Sequence, residues 1–428
     1  MIWLYRLLFL PVLILAAPYY LRRMRKRGGY GPNFSHRFGG TPPLPPKRPG
    51  VRRLWLQAVS VGEMLAVGPL LEALKKDETV EVYLTTTTST GHQLARERYL
   101  PLVIALGYFP LDWWLFSIRA WRRIRPDLAI LMEGERWPEH LRQAGRHHVP
   151  VLSINARLSD RSFRRMWRAR RLAPSLLGGI TRSLAVSPGD EERLRALGFP
   201  PEKLQTLGNM KLDLTIPLLS EAQRAALRRA LGLGDGLVLL GSSTWEGEEM
   251  ALVQALKAAR GRGLRVSLLL VPRHAERRDG IAAALARTGL RHHLRSHGAA
   301  PHEVDIAVAD TTGELRELTQ LADVVFCGKS LPPHDGGQSP VEAASLGKPL
   351  LFGPHMTNFR EIAGALRGSG AAREVINESE LVAACVELLA DEAQRARMGA
   401  AALAWHAHNR GAVERTLAVI REQLATCG

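Results

Sequence analysis

Cysteine is scarce and scattered. Cys327, Cys385 and Cys427 are the three cysteines in 428 residues, odd in number and without a C-x-x-C pair. This spacing argues against a disulfide framework or a cysteine-based zinc site, and it fits a reducing compartment. Acidic residues are in deficit: 41 Asp and Glu stand against 58 Lys and Arg, for a net charge of +17. Such a surface favours anionic partners, whether nucleic acid, acidic lipid or a phosphorylated substrate. No nucleic-acid-binding motif occurs, so no nucleic acid is expected as a partner. An anionic membrane surface and a phosphorylated acceptor are the better candidates. Internal repeats and low-complexity tracts are lacking. With 46% hydrophobic residues, two domains of ordinary size with proper cores are expected.

One long apolar run is present. Residues 2–20 hold a single charge, Arg6, and Arg22, Arg23, Arg25, Lys26 and Arg27 follow at once. Nineteen helical residues reach roughly 28 Å, enough for a bilayer core. In a secretory signal the charges precede the apolar core, so an uncleaved anchor is the expectation, with the body held in the cytoplasm by the positive-inside rule. Pro11 and Pro18 leave an in-plane or re-entrant segment open. Residues 28–50 are rich in Gly and Pro, the composition of a linker.

From residue 51 the pattern alternates between short apolar runs and amphipathic stretches, the signature of an α/β chain. Strands are predicted at Leu54–Val59, Val80–Thr86, Asp127–Met132, Val151–Ile154 and Leu184–Ser187, then at Leu237–Gly241, Ser267–Val271, Val324–Cys327 and Leu350–Phe352. The polar motifs follow strands, where ligands bind in open α/β sheets. Ser60-Val61-Gly62-Glu63 follows the first strand. Glu63 then either serves a helix dipole or faces a ligand. Glu133-Gly134-Glu135-Arg136-Trp137-Pro138 follows another strand, and Asn155-Ala156-Arg157-Leu158-Ser159-Asp160-Arg161-Ser162 a third. For Glu133 and Glu135 the plain alternative is a solvated or Arg-paired carboxylate. For Arg157 and Arg161 it is a surface salt bridge, against the binding of phosphate or carboxylate by a guanidinium fork. Ser162–Leu172 interleaves five arginines with Phe163, Met166, Trp167 and Leu172, which suits a membrane-surface helix, RNA or a solvated face.

The second half repeats this logic. Ser243 and Thr244 sit where a strand turns into a helix, and small hydroxyl residues there suit ligand contacts. Pro272-Arg273-His274 ends the next strand. Arg273 could face a phosphate, whereas a lone His274 is more often structural. Gly313 and Glu314 open a helix. From Val324 the chain reads strand, glycine turn at Gly336-Gly337, then a helix starting at Pro340. That arrangement points backbone N–H groups and a positive dipole end at a phosphate. Glu342, one turn into the helix, is placed to accept from ribose hydroxyls.

Together these motifs resemble the Kdo transferases, glycosyltransferases of the GT-B fold that move 3-deoxy-D-manno-octulosonate (Kdo) from CMP-Kdo to a lipid A precursor in lipopolysaccharide synthesis. The family pattern S-[IV]-G-E matches at Ser60–Glu63, E-x-E-x-W-P at Glu133–Pro138, N-A-R-L-S-x-R-S at Asn155–Ser162, V-P-R-H at Val271–His274 and D-T-x-G-E-L at Asp310–Leu315. G-G-S-L-x-x-x-G-G-H-N-x-x-E matches at Gly328, Ser330, Leu331, Gly336, Gly337 and Glu342, and G-P-x-x-x-N-F at Gly353, Pro354, Asn358 and Phe359. Lys329, Gln338 and Ser339 depart from it, although Gln and Ser still hydrogen-bond.

The resemblance implies two Rossmann-like domains facing across a cleft, behind an N-terminal membrane-anchor helix. Its implied boundaries are an anchor and basic stop at 1–27, a linker at 28–50, an acceptor domain at 51–208, a CMP-sugar domain at 209–400 and a returning helix at 401–428. Glu63 matches the general base. Gly62, Glu133, Glu135, Asn155, Arg157, Ser159 and Arg161 fall on the acceptor side. Ser243, Thr244, Arg273, His274, Gly313, Glu314, Gly328, Ser330, Gly336, Gly337, Gln338, Ser339, Glu342 and Asn358 fall on the donor side. No cofactor and no metal are expected, and the expected location is the cytoplasmic side of the inner membrane. Two alternatives stay open: another GT-B enzyme, such as a UDP-sugar transferase or epimerase, and a non-catalytic, membrane-tethered binding protein.

Overall fold

The computed structural model describes residues 2–25, 31–170 and 177–426. It divides into two compact units, Met1–Asp213 with Arg410–Gly428, and Leu214–Asn409. Each unit contains a seven-stranded parallel sheet among the described residues.

In the first unit, α1 (Ile2–Arg25) precedes a regular alternation. It runs β1 (Arg52–Gln57), α2 (Val61–Lys75), β2 (Val80–Thr86), α3 (Ser89–Arg98), β3 (Ala105–Tyr108), α4 (Trp114–Ile124) and β4 (Leu128–Met132). It continues through α5 (Pro138–Arg146), β5 (Val151–Ala156), α6 (Asp160–Arg168), β6 (Arg182–Ala185), α7 (Pro188–Ala196) and β7 (Leu204–Thr206). The strand order is β3-β2-β1-β4-β5-β6-β7. The order reverses between β1 and β4, so their carboxyl ends flank a crevice, the usual ligand position in such sheets. β4, Leu-Ala-Ile-Leu-Met, is buried throughout, as a central parallel strand must be.

The second unit runs α8 (Glu221–Leu231), β8 (Leu237–Thr244), α9 (Glu248–Gly261), β9 (Val266–Pro272), α10 (Arg278–Ala286), β10 (His292–Leu294) and β11 (Ile306–Val308). Then come α11 (Leu315–Thr319), β12 (Val324–Cys327), α12 (Val341–Ser345), β13 (Leu350–Phe352), α13 (Arg360–Gly368), β14 (Ala372–Glu374), α14 (Glu378–Ala390) and α15 (Glu392–Asn409). α16 (Ala412–Thr426) belongs to the first unit. Here the order is β10-β11-β9-β8-β12-β13-β14, with the reversal between β8 and β12.

Three sequence expectations change. The Gly- and Pro-rich stretch is not a bare linker over its described part: Gly31–Phe38 forms 3-10 turns. His36 and Arg37 are buried, and the Arg37 guanidinium donates to the Phe109 carbonyl. Residues 28–30 lie outside the described residues. The first unit extends past Gly208 to Asp213, because Asn155 Oδ1 accepts from the Met210 N–H at 2.9 Å and holds that segment to β5. Over its described part, the returning helix expected at 401–428 is split between two helices, α15 and α16. Gly411, at φ +95°, turns the chain, and Asp213 Oδ1 accepts from its N–H at 2.6 Å. α15 therefore stays with the second unit, and residues 401–409 with it. α16 places Leu417, Ile420 and Leu424 in the core beside Leu70 and Leu71 of α2.

Within α1, Tyr5–Arg22 is long and apolar enough to cross a membrane. Lys26 and Arg27, part of the expected basic stop, lie outside the described residues, as do Arg171, Leu172 and Cys427. Cys327 and Cys385 are free and buried.

Candidate active site

Each unit gathers a polar cluster at the carboxyl edge of its sheet. In the first, the chain leaves β1 and enters α2 through a reciprocal cap. Ser60 Oγ accepts from the Glu63 N–H at 3.3 Å and donates to Glu63 Oε1 at 3.1 Å. Glu63 Oε2 accepts from the Val59 N–H at 2.8 Å. The cap sets the carboxylate's direction, and only 9% of Glu63 is exposed. Burial raises its pKa most. The Val59 bond opposes this, the Glu133 charge adds to it, and Ser60 and Lys211 oppose it, with a net upward shift. A helix N-terminus by itself depresses a carboxyl, so desolvation decides the sign here.

β4 delivers Glu133 across the strand reversal, with its backbone at φ +51°. Outside glycine this conformation is uncommon, and it turns the chain sharply at the strand end. Glu133 Oε1 lies 2.6 Å from Lys211 Nζ. Two residues on, Glu135 Oε2 accepts from Trp137 Nε1 at 2.7 Å. Burial and the Glu63 charge push Glu135 up to about 7, against hydrogen bonds from Trp137 and Gln57 and the charge of Arg136. Gln57 is fully buried, accepts from Thr85 Oγ1 at 2.8 Å and donates to Thr87 Oγ1 at 3.0 Å. Glu63 feels the Glu133 charge and Glu135 feels that of Glu63, and with desolvation this raises both Glu63 and Glu135, so the cluster is able to accept a proton.

In the second unit, Trp245 follows β8. Lys329 Nζ sits 4.8 Å over its ring, and His274 and His334 lie against it at centroid distances of 5.3 and 5.5 Å. Lys329 follows β12 in the left-handed conformation, φ +57°. The buried carboxylate of Glu248 fixes this loop by accepting from the backbone N–H groups of Trp245, Lys329, Ser330 and Leu331 at 2.8–3.3 Å. Further along, Ser339 Oγ donates to Glu342 Oε2 at 2.7 Å. Gly336 and Gly337 have φ of +119° and +69°. A Cβ on Gly336 would lie 2.6 Å from Asn358 Nδ2 and 3.2 Å from Lys329 Nζ, so these side chains crowd the turn.

Against known proteins, the family model for 3-deoxy-D-manno-octulosonic-acid transferase (kdotransferase) matches residues 32–214. The 3-deoxy-D-manno-octulosonic acid transferase of Bordetella pertussis is 34% identical over 419 residues, spanning 94% of this chain and 95% of that protein. The chain belongs to the Kdo transferase family. The Haemophilus influenzae transferase is 30% identical, over 98% of this chain and 95% of that protein. In structure, a UDP-GlcNAc 2-epimerase from Neisseria meningitidis matches with a TM-score of 0.60 at 15% identity, covering 87% of this chain and 100% of that one. The latter likeness concerns the fold alone, two Rossmann-like units of the GT-B class.

In this Kdo transferase the expected residues separate into those facing a site and those that build it. Glu63, Glu133 and Glu135 come together. Arg157 is half-buried and Arg161 exposed, and neither has an ion-pair partner among the described residues. A Cβ on Gly62 would meet only Ser60 Oγ, at 3.9 Å. By contrast Asn155 holds the Met210 loop, and the Ser159 hydroxyl caps α6 by accepting from the Ser162 N–H at 3.2 Å. Both are better explained as supports of the acceptor-side loops than as ligand contacts.

On the other side, Arg273, His274 and Asn358 are exposed, and Gln338 and Ser243 half-exposed. Thr244 is buried, with its hydroxyl unpartnered. Ser330 is a structural tie: fully buried, it donates to the Cys327 carbonyl at 2.6 Å and accepts from the Gly353 N–H at 2.8 Å, joining β12 to β13. At Gly328 a Cβ would meet Ser243 O at 2.5 Å and Glu248 Oε2 at 2.9 Å, so close packing explains that glycine. Glu314 is engaged by Arg295 at 3.3 Å and by the Thr311 hydroxyl, and the left-handed Gly313 beside it makes the turn. The amides of Gly336 and Gly337, expected to cradle a phosphate, instead donate to the carbonyls of His355 and Lys329 at 3.0 Å each. The glycines shape the loop.

Sequence reasoning missed four residues: Lys211, Gln57, Glu248 and Trp245. Lys211 lies just past the expected boundary between the domains at 208 and 209. Glu248 stood in the run opening α9. For neither did spacing along the chain reveal the partner, which lies 78 residues away for Lys211 and 81–83 for Glu248.

Proposed function

We propose that this chain transfers Kdo from CMP-Kdo to a hydroxyl of a lipid A precursor (lipid IVA), inverting the anomeric carbon and using no metal ion. The observation that carries the reading is Glu63. It is buried, raised in pKa and set among Glu133, Glu135 and Lys211 where β1 and β4 part. Glu63 takes the acceptor hydroxyl proton as that oxygen bonds to the Kdo anomeric carbon. The bond from that carbon to the CMP phosphate oxygen breaks, and CMP leaves with the electron pair. Glu63 then returns its proton to solvent. Desolvation helps the base, since a carboxyl of higher pKa holds the proton better. Cations near the leaving phosphate stabilise its developing charge. Arg273 and Lys329 are the candidates, both at the carboxyl edge of the second sheet. Arg157 and Arg161 suit the phosphates of the acceptor. The body works on the cytoplasmic side of the inner membrane, against an anionic lipid surface.

The test combines purified protein, CMP-Kdo and tetra-acylated lipid A precursor in EDTA, with products weighed by mass spectrometry. A mass gain of one or more Kdo units is expected, with CMP released. Replacing Glu63 by Gln keeps a hydrogen-bond acceptor for the Val59 N–H, and so keeps the fold while losing most turnover. No product from the parent protein even with added divalent metal would overturn the transfer reading. Product only with added metal would overturn the metal-free part.

A further inference from the structure

α1 is held to the first unit near both ends of its apolar window. Tyr5 Oη donates to Asp112 Oδ2 at 2.6 Å. Arg6 grips Glu139 through Nε and Nη2 at 2.9 and 2.8 Å. Both acceptors are buried, Asp112 at 1% and Glu139 at 0% exposure. Farther along, Tyr20 packs against Tyr108 of β3. Fifteen residues of helix separate Tyr5 from Tyr20, roughly 22 Å of axis. Between them, beyond Arg6, the partly shielded positions among the described side chains are Phe9, Leu13 and Ala17, at steps of four. That is one face of a helix. The opposite face is bare: Trp3, Leu7, Leu15 and Tyr19 are each more than 70% exposed.

A helix clasped over that length by a folded body cannot cross a bilayer by itself. The body would have to enter the hydrocarbon with it, taking Asp112 and Glu139 along, and ionisable groups at that depth are expensive. Arg6 poses no such difficulty where it stands. Glu139 neutralises it, and the rings of Trp3 and Trp114 lie 4.8 and 5.7 Å from its guanidinium carbon.

We propose that α1 lies in the plane of an anionic bilayer surface, its bare apolar face sunk below the headgroups, and thereby fastens the first unit flat against the lipid. Aromatic contact continues from the helix onto the body, from Trp114 to Trp113 and on to Phe116. Trp114 and Leu115 are 37% and 45% exposed, which extends the apolar strip beyond α1. Its surroundings are basic, with Arg22 and Arg25 on α1 and Arg119, Arg122 and Arg123 on α4 all exposed. Apolar and aromatic side chains beside arginines match the boundary between acyl chains and anionic headgroups. A soluble protein partner would leave that positive charge without a broad counter-surface. The inference is independent of the transfer chemistry, and its tests do not use activity.

In-plane and spanning helices put the N-terminus on opposite faces of the membrane. The full chain, with an epitope tag ahead of Met1, is exposed to protease in spheroplasts and in inverted vesicles of the expression host. Loss of the tag in inverted vesicles alone is expected, and loss in spheroplasts alone would overturn the proposal. Depth gives a second reading. Leu8→Cys and Leu15→Cys, each in a Cys427→Ser chain, are labelled with a fluorophore in vesicles of phosphatidylethanolamine and phosphatidylglycerol, then quenched by lipids brominated at known depths. Equal, shallow depths are expected, whereas a spanning helix separates them by roughly 10 Å. A difference of that size, or failure to bind these vesicles, would overturn the proposal. Finally, Arg6→Leu removes a charge that only hinders a spanning helix. Against the body it leaves Glu139 buried without its partner, so the Tm of the bound chain should fall, and an unchanged Tm would refute the clasp.

Discussion

Lys211 Nζ and Glu133 Oε1 stand 2.6 Å apart and close the polar cluster that holds Glu63. Both are only partly exposed, 30% and 18% at the side chain, so neither is freely solvated. The pair brings one positive charge beside carboxylates that would otherwise repel one another. Deleting one partner leaves the other charge half-buried and unmatched, while deleting both does not. The double variant Lys211→Met/Glu133→Gln should therefore lose less turnover than the two single losses combined. A double-mutant cycle in kcat/KM on folded proteins tests this, and strict additivity would mean the pair does not act as a unit.

Glu135 makes stability depend on pH. Its folded-state pKa is about 7, above the ordinary value of 4.5. The folded protein thus binds this proton more tightly than the unfolded chain. The stabilisation is complete below the unfolded value and is lost as pH rises through about 7. Glu135→Gln keeps the hydrogen-bonding shape without the charge. Its Tm should match the parent's at pH 4 and exceed it at pH 8. Equal Tm values at both would show that Glu135 ionises normally.

Arg157 should bind an anionic group of the acceptor. It follows β5 in the unit that holds Glu63, and no described carboxylate occupies it. A guanidinium grips a phosphate through two parallel N–H bonds where an ammonium makes a point contact. Losing one charge-assisted contact costs about 1.5–3 kcal/mol, roughly 10- to 150-fold in affinity. Arg157→Lys should raise the acceptor KM and leave the CMP-Kdo KM nearly unchanged. Steady-state kinetics with each substrate varied in turn would show it, and a rise in the donor KM would reverse the assignment.

Glu342 and Ser330 separate donor binding from scaffolding. Glu342→Ala should weaken CMP binding in a calorimetric titration, since its carboxylate is half-exposed at the start of α12. Ser330→Ala should lower Tm, because it strips the buried ties to Cys327 and Gly353. The folded Ser330 variant should bind CMP normally. Weakened binding at Ser330 with none at Glu342 would invert the two roles.

The alternation of strands and helices, and the polar motif after each strand, could be read from the chain because they are local. A strand of the kind at β4 is a continuous apolar run, and a cap such as Ser60–Glu63 spans one helical turn, so neighbouring side chains suffice to reveal them. The short strands β3, β7, β10, β11 and β14 were not legible, although the equally short β12 and β13, continuous apolar runs, were. Strand order was not legible either. Its reversal between β1 and β4 is what sets Glu63 beside Glu133, and the packing of residues 209–213 against Asn155 is what brings Lys211 to them. At Gly336 and Gly337 the sequence named the right turn, but the fold had already given their amides to His355 and Lys329. The periodic pattern of α1 is apolar all round, and only the buried carboxylates of Asp112 and Glu139 select which face turns inward. These outcomes depend on groups 8 to more than 100 residues apart. Hydrogen bonding and desolvation act on distances in space, which the chain acquires only when its sheets close.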